Sequence, residues 1–294
     1  SKPSQKEYFT QNKNDKKKHE EFWTKLIFHL QNYYNKKLNF VTFAYYYYVE
    51  NGLYAGCKNN KIPVKLWNKE CFMSDSDVEY RTKINEYKYV FKFFNKISTY
   101  NNLMKRMLIG MDKSNNKKIT VNGCPRIIDF IDKKKKNKRI KNLLFLSFNP
   151  IQGFPPIKKN EKLNWKLSYN KVIKILNQLS DHKDLNITIK RKNFTTYYTP
   201  YKINKRIKVI VGGTAEKSIN EADIIIGHNS GSTLESLINR KYVMIPFFEK
   251  NQKLKKFLFK FDKSIIYTSE AKMKKDILNL INKKVVFPLK RKIY

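Results

Sequence analysis

The residues whose spacing most clearly permits chemistry lie between Glu221 and Phe248, in EADIIIGHNSGSTLESLINRKYVMIPFF. A strand at Asp223–Ile226 leads into Gly227-His228-Asn229-Ser230-Gly231, and Ser232-Thr233 open a helix with Glu235 in its first turn. A glycine lets a ligand approach the main chain. The first amides of a helix have no carbonyl one turn back, and Ser230, Ser232 and Thr233 add hydroxyl donors. That set suits an anion. The same residues also read as an ordinary Ser N-cap with Glu235 closing a capping box. Their place after a strand in the second of two Rossmann-like halves favours the anion. His228 stands inside the motif, either to bond the ligand or to fix the loop. The other histidines are scattered, and the cysteines (Cys57, Cys71, Cys124) are odd in number and widely spaced. They read as free thiols of a reducing compartment, and no metal site is expected.

The elements that must position this loop alternate as strand and helix along the chain, which implies parallel sheets covered by helices. In the first half a helix is expected over His19–Tyr34, with Phe22, Leu26, His29, Leu30 and Tyr33 on its apolar face. Next come a strand in LNFVTFAYYYY, a helix in ENGLYAGCKNN and strands in IPVKLWNKE and YKYVFKFFN. A helix in STYNNLMKRMLIG and a strand in KKITVNGCPRIID, turning at Gly123–Pro125, complete it. Tyr45–Tyr48 alternate across the first strand, two into the core and two outward. The lysine run from Ile131 to Asn142 reads as a solvated linker. The second half offers strands LLFLSF, LNITIKRK, RIKVIVGG, ADIIIG, YVMIPFF and SIIYTS. Helices are expected at Tyr169–Leu179, Ala215–Asn220, Ser232–Asn239, Gln252–Lys260 and Ala271–Asn282. The expected fold is α/β, with two Rossmann-like domains, residues 1–137 and 138–294, facing a cleft. The first domain has only about four strands and lacks the usual leading strand and Gly loop. It is either reduced or without its own beginning.

Composition narrows the function classes. A chain of 294 residues that is 41% hydrophobic can bury a core, despite a mean hydropathy of −0.65. The net charge of +38 invites a nucleic-acid reading, but 54 lysines stand against eight arginines, spread over the whole chain. Phosphate and base readers favour the planar fork of Arg, so the excess reads as compositional bias. No recognisable reader fold is present, which argues against nucleic acid. An anionic membrane face remains a secondary partner. No apolar run approaches the ~18 residues of a membrane span, and SKPSQKEYFTQNKNDKKK lacks the apolar stretch of a signal peptide. A soluble cytoplasmic protein is expected.

The pattern ADIIIG-NS-STLE-L, with a later K-V-IPFF, resembles the nucleotide-sugar signature of GT-B-fold glycosyltransferases and the related UDP-sugar 2-epimerases. Residues 47–70, YYVENGLYAGCKNNKIPVKLWNKE, and 88–130 are similar to the N-terminal pattern of transferases for bacterial surface carbohydrates. Together these stretches cover most of residues 40–285. The resemblance implies that Asn149 and Gly153 approach the donor diphosphate. It places His228, Asn229, Ser230, Ser232 and Thr233 on phosphate, and Glu235 on a hydroxyl pair. Ile189-Lys190-Arg191-Lys192 stands where relatives often carry a His-Pro or Lys-Pro pair. This chain departs from the His-Pro form, so Lys190 or Lys192 would supply the charge. Glu70 first, and Glu50 second, would be the base that deprotonates an acceptor hydroxyl. Each also reads as a surface carboxylate paired with a lysine. Arg126 and Asp129 look like hinge structure. Asp75-Ser76-Asp77 has a metal-motif spacing but lies in the acceptor-side half, so neither a metal nor another cofactor is implied.

The function so implied is transfer of a sugar from a nucleotide-sugar to a glycan or lipid-linked acceptor of capsule or lipopolysaccharide. It would run at the inner face of the cytoplasmic membrane, with the helix start at Ser230–Thr233 stabilising the leaving group. The alternatives are a sugar-nucleotide 2-epimerase, which would want more carboxylates and histidines around C2, a basic nucleic-acid-binding protein, and an inactive partial transferase.

Overall fold

In a computed structural model, residues 13–43, 45, 50–68, 73–84, 89–124, 136–147, 163–192 and 201–287 are described. The chain divides into two units: Ser1–Met73 with Asp77–Cys124, and Ser74–Ser76 with Pro125–Tyr294. Both are α/β units built on parallel sheets.

The first unit carries helix α1 (Lys13–Tyr34), strand β1 (Phe40–Thr42), α2 (Glu50–Asn59), β2 (Val64–Trp67), α3 (Asp75–Ile84), β3 (Lys96–Thr99), α4 (Asn102–Met111) and β4 (Ile119–Val121). The four strands pair in parallel in the order β1-β2-β3-β4. Along β2, Val64 and Leu66 enter the core while Lys65 and Trp67 face out, the period-2 alternation of a half-covered sheet. Ile97, Met104, Met107 and Leu108 complete the same core with Tyr45 and Tyr54. Tyr45 is fully buried, as expected for part of that tyrosine run, while Tyr46–Tyr48 lie outside the described residues.

Two expectations for this unit change. The stretch YKYVFKFFN is not a strand over its described part: Phe91–Phe93 form a 3-10 turn and β3 starts at Lys96. A strand would send Val90, Phe91, Phe93 and Phe94 to alternating faces. The turn gathers all four into one core. Asn95 then begins the ladder, its N–H donating to Val64 O and its Oδ1 accepting from Val64 N, both at 2.9 Å.

The second change concerns α1. The helix forms, but the face bearing Phe22, Leu26, His29, Leu30 and Tyr33 is not the one that packs. Ile27 is buried with Trp23 and Thr24 beside it, while Phe22 and Tyr33 are 58% and 82% exposed. The cause lies in α2, where Gly52 and Gly56 stand one turn apart. A Cβ at Gly52 would sit 2.6 Å from His19 and 2.8 Å from Trp23, and one at Gly56 would sit 2.8 Å from the Trp23 backbone. The two helices therefore meet nearly backbone to backbone. Asn60 Nδ2 donates to Thr24 O at 2.9 Å, and Asn59 Nδ2 to Thr24 Oγ1 at 3.0 Å, which fixes the rotation of α1.

The second unit contains β5 (Lys136–Arg139), β6 (Asn142–Leu146), α5 (Trp165–Leu179), β7 (Asn186–Arg191), β8 (Lys208–Val211), α6 (Glu216–Glu221), β9 (Ile224–Ile226), α7 (Gly231–Ile238), β10 (Tyr242–Pro246), β11 (Ile266–Tyr267), α8 (Glu270–Leu280) and β12 (Lys284–Phe287). Six strands form a parallel sheet in the order β11-β10-β9-β6-β7-β8. Counted from β6 this is the 3-2-1-4-5-6 order of a doubly wound fold. One face packs Tyr169, Val172, Leu176 and Ile277 against Phe145 and Ile189. The other packs Ile219, Phe257 and Phe261 against Leu144, Ile225 and Ile245.

The lysine run is not simply a solvated linker. Its described end, β5, pairs antiparallel with β12, Lys138 facing Val285. Lys138 also forms an ion pair with the fully buried Asp223, which accepts from the N–H groups of Lys141 and Asn142 at 3.0 Å. The expected helix at Gln252–Lys260 is a 3-10 segment, Gln252–Phe257, opened by the Asn251 side chain. Asn at this cap accepts from Lys253 N, a tight local bond that competes with a full α-turn.

Candidate functional site

Strand β6 pairs with β7 on one side and β9 on the other, so the direction of winding reverses between β6 and β9. At such a reversal the connections leave to opposite faces of the sheet, and a crevice opens beyond the carboxyl ends of the two strands. The loop Gly227–Ser230, at the end of β9, stands at this point. Three consecutive isoleucines, all fully buried, hold β9 in the middle of the sheet. Gly227 N–H extends the ladder to Met244 O at 3.1 Å.

The loop is shaped by a few side chains. Ser230, in extended backbone (φ −154°, ψ 155°), is the N-cap of α7, and its Oγ accepts from Thr233 N at 3.2 Å. The Thr233 hydroxyl lies 2.9 Å from that Oγ and is fully buried. A Cβ at Gly227 would collide with Thr233 Oγ1, so this glycine is required by the packing of Thr233. At Gly231, by contrast, a Cβ would meet nothing within 4 Å. The start of α7 is thus sealed from beneath by Thr233 and open above Gly231. The amides of Gly231 and Ser232, at the first two helical positions, have no carbonyl one turn back to bond.

Thr233, not Glu235, occupies the third helical position, so the capping box expected with Glu235 does not form. Glu235 lies one turn into α7 and is 6% exposed. Ser232 is half-buried, and its carbonyl accepts from Ser236 Oγ at 2.7 Å.

Other expected ligand groups have structural partners. The side-chain amide of Asn229 donates to Phe257 O and accepts from Phe259 N at 3.0 Å, tying the loop to residues 257–259. Lys190 is buried, and its ammonium donates to the carbonyl of Gly212 and, at 3.3 Å, to that of Gly213. Both glycines have left-handed backbone (φ 73° and 69°), and the lysine holds their turn after β8. Lys192, at the end of the same stretch, is exposed. His228 is 4% exposed, and its ring stands edge-on to Trp165 with centroids 4.8 Å apart. Burial pushes its pKa down to about 3, so it enters any contact as a neutral imidazole. Asn149, Gly153 and Glu70 lie outside the described residues, as do Arg126 and Asp129.

In the first unit Glu50 opens α2. Tyr54 Oη donates to Glu50 Oε2 at 2.7 Å, and Thr42 Oγ1 lies 3.0 Å from the same hydroxyl. Tyr54 is fully buried, and burial raises its pKa far above the ordinary phenol value, with Glu50 adding to the rise. Glu50 is therefore a held carboxylate rather than a free surface group. The helical i, i+4 spacing of Glu50 and Tyr54 carries this signal in the sequence. Thr42, on β1, has no such local signal. Neither has Trp165, which reaches His228 from a helix start far along the chain. Cys57, also on α2, is buried, which pushes its thiol up to about 11.

No protein-family model matches the chain, and no curated protein matches it. Among solved structures, the UDP-GlcNAc 2-epimerase of Methanocaldococcus jannaschii superposes with a TM-score of 0.52 at 13% identity. The match covers 93% of this chain and 77% of that one. S. aureus MnaA, in a co-structure with UDP, gives 0.45 at 11% identity over 90% and 81% of the two chains. The wall teichoic acid polymerase TagF gives 0.45 at 13%, over 82% of this chain and 63% of that one. At these identities the likeness is one of fold, and it rests on the first of the three.

Proposed function

We propose that the chain is a nucleotide-sugar enzyme of the GT-B kind whose second unit holds the diphosphate at the start of α7. One observation carries this reading: the open helix start over Gly231 stands at the winding reversal of a 3-2-1-4-5-6 sheet. The amides of Gly231 and Ser232, with the Ser232 hydroxyl, would bind the phosphates. Glu235 would accept from a hydroxyl pair of the ribose or sugar. Neutral His228 would offer a hydrogen bond and no charge. Asn229 and Lys190 shape the loops instead, and Lys192 is the lysine of that stretch proposed for charge.

Stabilising negative charge on the diphosphate weakens the bond between the anomeric carbon and the leaving oxygen. The outcome then depends on the group that meets the sugar. If an acceptor alcohol attacks while a carboxylate takes its proton, the sugar is transferred to a surface glycan or lipid-linked acceptor and a nucleoside diphosphate leaves. Glu70 and the Tyr54-held Glu50 are the proposed bases. If instead a base removes the C2 proton as the diphosphate departs, re-addition with protonation on the other face inverts C2. The likeness to the M. jannaschii epimerase favours this second outcome, and with a protein at 13% identity it supports the fold beneath the reading. We place the enzyme in the cytoplasm.

The experiment uses UDP-N-acetylglucosamine as probe. Proton exchange at C2 and appearance of the 2-epimer without any acceptor support epimerisation. Release of UDP only when a glycan or lipid-linked acceptor is added supports transfer. Failure of UDP-, GDP-, CMP- and dTDP-sugars alike to raise the melting temperature refutes both.

A further inference from the structure

Helix α1 carries a group of large apolar side chains that stay exposed. Phe22, Phe28, Leu30, Tyr33 and Tyr34 are all exposed, five of the fourteen large exposed hydrophobic residues among the described positions. At 100° per residue, Phe22, Leu26, His29, Leu30 and Tyr33 fall within an arc of about 100° that borders, along His19 and Trp23, the side that packs on Gly52 and Gly56. Lys18 and Lys25, both exposed, flank this ridge on one side. Lys36 and Lys37, also exposed, come directly after the helix. The helix itself has five lysines against three acids. Glu21 is 3.7 Å from Lys17, and Asp15 sits at the amino end among Lys13 and Lys16–Lys18. No helix among the described residues is long and apolar enough to cross a membrane.

We infer that α1 is an interfacial docking element for an anionic lipid surface. A helix with aromatic and aliphatic residues along one stripe and lysines beside it lies in the headgroup plane, its rings entering the acyl boundary and its ammonium groups meeting lipid phosphates. Phenol rings suit that boundary, with an apolar body and a polar tip. A protein partner could cover the aromatics, but it would also have to match the lysines along the ridge. A bilayer bearing anionic lipid does both at once. The inference locates the enzyme and does not depend on the chemistry proposed for the second unit.

Co-sedimentation of the full chain with phosphatidylcholine vesicles, and with vesicles that also contain phosphatidylglycerol, tests it. The chain binds the anionic vesicles, less tightly as salt rises. The charge-preserving variant Phe22→Ser/Leu30→Ser/Tyr33→Ser binds them at least about tenfold more weakly. Tyr33→Trp gives a readout that does not rely on lost binding: its emission moves to the blue when phosphatidylglycerol vesicles are added. Equal binding by the triple variant overturns the inference, because diffuse lysine charge would then suffice. So does a wild-type dimer that the triple variant turns into a monomer while vesicles leave both unbound, which would give the ridge to a second copy. Loss of nucleotide-sugar binding would leave these outcomes unchanged, so the two proposals fail separately.

Discussion

Replacing Gly231 with valine separates the anion site from the stability of the loop that forms it. A Cβ at this position meets nothing within 4 Å, so the new side chain starts in open space. Glycine also loses more conformational freedom on folding than any other residue, so the exchange should leave stability within about 1 kcal/mol of wild type. On a helix the Cα–Cβ bond tilts toward the amino end. Valine at the first position of α7 therefore leans over the amides of residues 231 and 232, where the diphosphate is proposed to sit. A hydrogen bond to a charged group contributes about 1.5–3 kcal/mol. Loss of even one weakens binding at least about tenfold. With ligand at about one hundred times the wild-type Kd, binding adds about 2.7 kcal/mol to wild type and about 1.4 kcal/mol to a tenfold weaker variant. In a domain of this size each kcal/mol moves the melting temperature by about 2–4 °C. The ligand-induced shift should thus fall by about half while the unliganded melt stays put. A Gly231→Val protein that melts normally and keeps the full shift would remove α7 as the anion site.

The other consequences of the site and its frame are as direct. Gly227→Ala drives a Cβ into Thr233 Oγ1 and should cost about 1–3 kcal/mol in a denaturant melt, with part of the loss recovered by adding Thr233→Ala. His228 stays neutral in the folded chain down to about pH 3, whereas the unfolded chain takes up a proton below about 6.5. The unfolded state then binds more protons, so stability falls as pH drops through that window, by roughly 3–5 kcal/mol in full. Denaturant melts across that range should show wild type losing this stability as pH falls while His228→Gln, without the titrating ring, does not, so the variant gains on wild type toward low pH. Lys190→Met leaves the Gly212 and Gly213 carbonyls without their ammonium partner and should cost about 1–3 kcal/mol, with nucleotide-sugar affinity unchanged in the surviving folded protein.

The second unit was the more legible in the sequence. Its central strands hold continuous apolar runs, LLFL, III and YVMIP, and a strand segment buried on both faces has little room for polar residues. That a serine caps α7 was legible, because a cap is made by residues three apart, but the cap is Ser230 with Thr233 and not the box expected with Glu235. The first unit carried weaker signals. Val90–Phe94 has strand-like residues but turns to put all its rings into one core. The aromatic stripe of α1 has proper helical spacing yet faces out, because two glycines on the neighbouring helix receive the adjoining side, around Trp23 and Ile27, more closely. The lysines of β5 gave no hint of a strand, since its pairing partner lies at the far end of the chain.

Local chemistry thus settled which residues could meet an anion: a glycine, free amides at a helix start and three hydroxyls within a few positions. It could not settle which of them remain available. Asn229 and Lys190 carry the right groups, but residues 257–259 and the Gly212–Gly213 turn claim them. Thr233 is turned inward onto Gly227, and His228 is stripped of its charge by burial. Hydrogen-bond capacity is set by residue type, whereas its assignment depends on segments brought together only by folding. That is why the anion motif could be read along the chain and its division of labour only in three dimensions.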